Sequence, residues 1–123
     1  MPVLSMEAKE APGKKWDLGK PRWDLLPWDA IYGVVNVLTY GAEKYEDRNW
    51  EKGMQFSRLF AATMRHLAAW WNGPMTGHPV ARDQESGLLH LDHAITDLLF
   101  LRTFIERGMD EWDDRPRPRE KTP

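Results

Sequence analysis

Cysteine is absent from the 123 residues. That excludes a disulfide framework, a zinc–thiolate centre and a cysteine nucleophile. No apolar run approaches the roughly 18 residues that would suggest a membrane span, and the N-terminus lacks a signal-peptide core. A cytoplasmic protein is the expectation. A strong charge of one sign is also missing. Lys and Arg number 17 against 19 Asp and Glu, for a formal net charge of −2. Neither nucleic acid nor an anionic membrane is attracted globally, and no basic recognition helix is present. A polyanionic ligand therefore needs a local cluster of cations. No segment alternates polar and apolar residues as a strand does.

What remains is ordinary globular composition, 41% hydrophobic and 29% charged, at a length that suits one core. Seven tryptophans stand out. They cannot all be central core, so some should lie at an oligomer interface or against a ligand ring. Residues 1–18 read as a polar arm and residues 110–123 as a charged, proline-rich, exposed tail. The helical domain between them, residues 19–109, holds three helices. The first runs from about Trp28 to Asp47, after Pro27 and with Asp29 in its first turn. The second runs from Ser57, a good N-cap, to about Asn72, where Gly73 and Pro74 stop it. The third runs from Ser86 to Arg107, with Gly108 as its C-terminal signal. The second helix is apolar nearly all round: Leu59, Phe60, Met64, Leu67, Trp70 and Trp71. A helix without a polar face needs burial on all sides, so an all-α bundle completed by oligomerisation is expected.

Polar residues in apolar places mark candidate sites. On the third helix His90, His93 and Asp97 share one stripe at i, i+3 and i+7, flanked by Ala94, Phe100, Leu101 and Phe104. Asp92, Thr96, Thr103 and Glu106 occupy the opposite face, expected toward solvent. Satisfied histidines and a paired Asp would account for the stripe one residue at a time. Three in register can instead converge on one cation or phosphate. On the second helix Arg58, Arg65 and Asn72 recur every seven residues among alanines, with His66 aimed nearer the core. Arg65 suits either a neighbouring Glu or a phosphate. On the first helix Glu43 and Glu46 sit at i, i+3, a spacing that can hold Mg²⁺ and is also common on wet faces. Glu85, with Asp83 nearby, precedes the third helix. Lys20 and Arg22 precede the first, where phosphate can be held. Tyr45, Asn49 and Trp50 combine ring faces with an amide, the chemistry for stacking on a base and reading its edge; packing explains the two rings equally well.

Five stretches then become recognisable in order: GKPRWDLLP (19–27), LTYGAEKY (38–45), NW (49–50), RHLAAW (65–70) and ESGLLHLDH (85–93). The chain resembles the phage-associated dATP/dGTP diphosphohydrolase family, a MazG-like branch of the all-α nucleotide pyrophosphohydrolases, over about residues 19 to 105. The resemblance implies a homodimer or homotetramer, in the host cytoplasm if phage-encoded. It implies cleavage of a purine deoxynucleoside triphosphate between the α and β phosphates, giving the monophosphate and pyrophosphate, with Mg²⁺ or Mn²⁺ as cofactor. Better-known MazG enzymes hold metal with E-x-x-E on one helix and E-x-x-D on the next. If the second and third helices play those parts, Arg65, His66, His90 and His93 stand there instead.

On this reading Glu85, Asp97, His90 and His93 are the expected metal ligands, with Glu43 and Glu46 in reserve. Glu85, His66 and His90 are the catalytic candidates. Lys20, Arg22, Lys44 and Arg65 balance charge on the polyphosphate, and Tyr45, Asn49 and Trp50 hold the base. Two rivals stay open. An HD-type phosphohydrolase would use the same residue types, but needs an adjacent His-Asp pair where the order here is Asp92-His93. A non-catalytic helical module would bind nucleotide or protein without hydrolysis.

Overall fold

Pro27 fixes the entry to the first helix. Its carbonyl accepts the amides of Ala30 and Ile31, each at 3.0 Å, and the Asp29 carboxylate takes the Ala30 amide at 2.9 Å. In the computed structural model, which describes residues 9–119, this gives α1 over Trp28–Lys44, α2 over Phe56–Trp71 and α3 over His90–Glu106. Short 3₁₀ turns lie at Trp23–Leu25, Asn49–Lys52, Pro74–Thr76 and Asp110–Trp112. Among the described residues the only strand-like feature is an isolated bridge between Arg82 and Leu89, so the all-α expectation holds. None of these helices is long and apolar enough to cross a membrane.

The first helix ends at Lys44, short of the expected Asp47, while α3 ends where local chemistry stops it. After α3, Gly108 adopts φ +63°, and the amides of Gly108 and Met109 bond back to Ile105 (3.2 Å) and Phe104 (2.9 Å). That pairing is the Schellman closure expected from a glycine at this place. The start of α2 differs from the sequence expectation. Gln55 stands at the N-cap without a side-chain bond, and Ser57 lies in the first turn. The Asp114 carboxylate fills the capping role from the C-terminal segment, accepting the Ser57 amide (2.8 Å) and the Ser57 hydroxyl. Trp112 packs against the core beside Gly53. The residues after 109 thus include a strap over the domain as well as exposed chain. The third helix begins at His90, four residues later than expected, because 86–89 are spent in a turn.

Packing centres on α2 against α3, with α1 lying on α3. Phe56, Leu59 and Phe104 form the core, with Trp50, Phe100 and Met109 around them. Phe104 is fully buried. The first half of the α3 face expected toward solvent is covered instead, whereas Glu106 near its end is exposed as expected. Thr96 is 1% exposed and Asp92 is half-buried, because α1 crosses there. Gly33 permits the approach, since a β-carbon at that position would overlap the Asp92 carboxylate. Burying Thr96 leaves nothing unsatisfied, as its hydroxyl donates to the Asp92 carbonyl at 2.7 Å. The outward faces stay apolar: Phe60, Met64 and Trp71 on and after α2, and Ile95, Leu98 and Leu99 on α3, are all exposed.

Candidate metal centre

The loop between α2 and α3 is built to aim two polar side chains inward. It folds back through Asp83 N–H to Leu88 O (2.7 Å) and His90 N–H to Ala81 O (3.1 Å). Gly87 takes φ +74°, which a side chain would resist. Inside this turn the Asp83 carboxylate accepts the Ser86 amide, three residues on, at 2.8 Å. The Ser86 oxygen accepts the Leu88 amide at 3.1 Å and lies 2.7 Å from His93 Nε2. The hydroxyl hydrogen is free to donate to Nε2, and in that arrangement the His93 proton sits on Nδ1.

Three histidines from two helices meet this turn. His66 Nδ1 and His90 Nδ1 are 2.8 Å apart, so one ring nitrogen donates and the other accepts. The His66 and His93 rings stack at 4.7 Å with planes 10° apart. Asp83 Oδ2 lies 4.0 Å from His93 Nε2. One donor atom from each of His66, Asp83 and His90 falls within 4.8 Å of the others, and all three residues are half-buried. Burial, then the neighbouring His93 and His90, pushes His66 down to about 4. Burial also lowers His93. Burial alone would raise Asp83, but hydrogen bonds from Ser86 and the facing His93 and His66 outweigh it and hold the carboxyl below its ordinary value. At neutral pH the cluster therefore offers an uncharged His66 imidazole and an ionised Asp83 carboxylate, while His93 Nε2 is engaged by Ser86.

Other expected site residues are distributed around this centre. Asp97, one turn beyond His93, has an Oδ2 that is buried without a hydrogen-bond partner among the described residues. Burial raises its pKa to about 6, against the pull of Arg65. Glu85, expected as ligand and base, is occupied elsewhere. It accepts the Tyr40 hydroxyl at 3.0 Å and the Lys44 ammonium, and these two hold it below its ordinary pKa, Lys44 contributing most. Lys44 in turn is raised to about 12, chiefly by Glu85. Glu46 lies past the end of α1 and pairs with Lys52, and Glu43 is exposed. Arg65 is exposed on α2 beside His66. Lys20 and Arg22 line a separate cavity formed by residues between Asp17 and Asp24, where Arg22 pairs with Asp24 at 2.7 Å. Tyr45, Asn49 and Trp50 do come together, around a cavity of about 410 Å³ that shares no lining residue with the histidine cluster. Trp50 is stacked on Phe100 at 4.2 Å. Sequence reasoning noted Asp83 only as a neighbour of Glu85. Its signal was the Asp-x-x-Ser-Gly pattern, in which the Asp can accept the backbone amide three residues on. That bond ties the carboxylate to the turn, while Glu85 bonds Tyr40 and Lys44.

The fold and this cluster define an all-α protein with a two-imidazole, one-carboxylate donor set of the kind that can hold a divalent cation. Residues 10–115 match the family model described as dATP/dGTP diphosphohydrolase, N-terminal, and the chain belongs to that family. A protein named dATP/dGTP diphosphohydrolase from Salmonella phage PMBT28 is 34% identical over 89 residues, which cover 72% of this chain and 28% of that protein. The chain thus spans little more than a quarter of that relative's length. No solved structure matches.

Proposed function

We propose that this chain carries the active site of a metal-dependent purine deoxynucleoside triphosphate pyrophosphohydrolase. Its substrates are dATP and dGTP, the activity in the relative's name, and its products the monophosphate and pyrophosphate. The observation that carries the reading is the convergence of His66, Asp83 and His90 from three segments of an otherwise apolar bundle. These residues fit a divalent cation. Their donors are close together, Asp83 is ionised, and the unclaimed Asp97 oxygen lies one turn away on α3. Two imidazoles beside one carboxylate favour Mn²⁺ over Mg²⁺, which prefers an all-oxygen set. When bound, the cation supplies Lewis-acid polarisation of the phosphate.

The chain's own residues do the rest. A water oxygen bonds to the α phosphorus while the bond from that phosphorus to the α–β bridging oxygen breaks, and pyrophosphate leaves. Asp97 takes the water's proton, since it has a free acceptor and a pKa near 6. Ser86 holds the tautomer of His93, whose ring in turn braces His66. Arg65 and Lys44 balance charge on the polyphosphate. The exposed apolar faces of α2 and α3 support a homodimer or homotetramer of the same chain.

A second reading is favoured by the same imidazole-rich set: an HD-type phosphohydrolase, which releases triphosphate or a single phosphate. Incubation with each of the four dNTPs, with and without Mn²⁺ or Mg²⁺, separates them by product. Equal dAMP and pyrophosphate from dATP, only with metal, is the expected result. Inorganic triphosphate or monophosphate as first product would move the chain to the second reading, and no product would leave a binding module.

A further inference from the structure

Beside the histidine cluster lies a cavity of about 790 Å³ between the end of α2 and the loop that follows it. Asp83 and His90, two of the three cation donors, form part of its wall. Its volume is in the range of small-molecule sites. Ala68, Ala69, Val80 and Ala81 make an apolar floor, and Asn72 and Gln84 bring carboxamides. Arg82 is the one guanidinium in the wall, and it donates to the Gly87 carbonyl at 3.2 Å. That is a poor seat for a triphosphate and a good one for a flat, neutral, polar-edged ring.

We propose that this cavity, and not the one around Tyr45 and Trp50, seats the purine base, with Asn72 and Gln84 reading its edge. The inference rests on the pyrophosphohydrolase reading above. Three observations carry it. The cavity opens directly onto the cation donors, as a base attached to metal-bound phosphates requires, whereas the other shares no residue with them. In the other cavity one face of Trp50 is already covered by Phe100, which leaves less ring surface for a base to stack on. The amide chemistry also fits. Asn72 donates its amide to the Ala68 carbonyl at 2.9 Å, which leaves Oδ1 to accept from a purine N–H. Gln84 is exposed at the cavity, free to turn its amide over. A turned amide offers an acceptor to the 6-amino group of adenine or a donor to the 6-oxo group of guanine, so one residue accommodates both.

The test is calorimetric binding, in the presence of Mn²⁺, of the α,β-imido analogues of dATP, dGTP and dCTP, alongside pyrophosphate release from dATP. Asn72→Ala and Gln84→Ala are expected to weaken both purine analogues at least tenfold, and Tyr45→Ala to change them less than twofold. Gln84→Glu should favour the dATP analogue over the dGTP analogue by about tenfold, because a carboxylate accepts from the amino group and repels the oxo group. Gln84 is exposed, so these variants carry no folding burden, and circular dichroism checks Asn72→Ala. Wild-type purine affinity in both alanine variants, with pyrophosphate still released by the unaltered protein, overturns the base seat alone. No release and no binding by the unaltered protein would instead bring down the pyrophosphohydrolase reading, and the base seat with it.

Discussion

Asp83 and Glu85 are two residues apart, and the turn between them sends one carboxylate to the histidines and the other to Tyr40 and Lys44. Replacing them should therefore have unequal effects. Asp83→Ala or His90→Ala is expected to lower metal-dependent turnover at least a hundredfold with helical circular dichroism intact. Glu85→Ala should lower it about tenfold through release of Lys44, which steady-state kinetics will separate. The titrating groups make a second prediction, for the metal-free protein. His66 falls from an ordinary 6.5 to about 4, so the stability it contributes is present above pH 6.5 and is lost as pH falls toward 4. Asp97 rises from 3.8 to about 6, so its contribution is present below pH 3.8 and is lost as pH rises toward 6. The two slopes oppose each other between about pH 4 and 6. Asp97→Asn removes one of them, and urea midpoints measured in EDTA should then fall more steeply toward pH 4 than those of the wild type. Parallel curves for the two proteins would show that Asp97 keeps an ordinary pKa.

At the scale of elements, the strap after α3 holds the start of α2. Asp114→Ala removes its acceptor for the first turn and should cost about 1 kcal/mol, read from chemical denaturation. Gly53→Ala should cost more, about 1–3 kcal/mol, since φ is +104° there and the new β-carbon would overlap the Trp112 ring. The three helices were legible because many of their boundary signals are local: Pro27 at a start, and Gly73 with Pro74 and Gly108 at ends, each act within one turn. The stripe of His90, His93 and Asp97 was legible because helical period alone aligns it. Long-range partners were not. No local rule says that Asp114 caps a helix 57 residues away, or that Gly33 admits Asp92 and so buries Thr96. Asp83 was missed for the same kind of reason, because its direction is set by a turn that only closes once Leu88 meets it.

For the whole molecule, three helices are too few to cover one another. Phe60 is 63% and Trp71 75% exposed, and Ile95 and Leu99 leave α3 apolar on its outer side. Sedimentation should find two or four chains together, and Phe60→Arg with Ile95→Arg should yield monomers that melt at lower temperature. A wild-type monomer at micromolar concentration would contradict that assembly.

The central claim is that His66, Asp83 and His90 act as one cation site, and direct Mn²⁺ titration followed by electron paramagnetic resonance addresses it. The account predicts a saturable site per chain whose affinity falls 10- to 100-fold or more in Asp83→Asn and in His66→Ala. Equal Mn²⁺ affinity in wild type and both variants would contradict it.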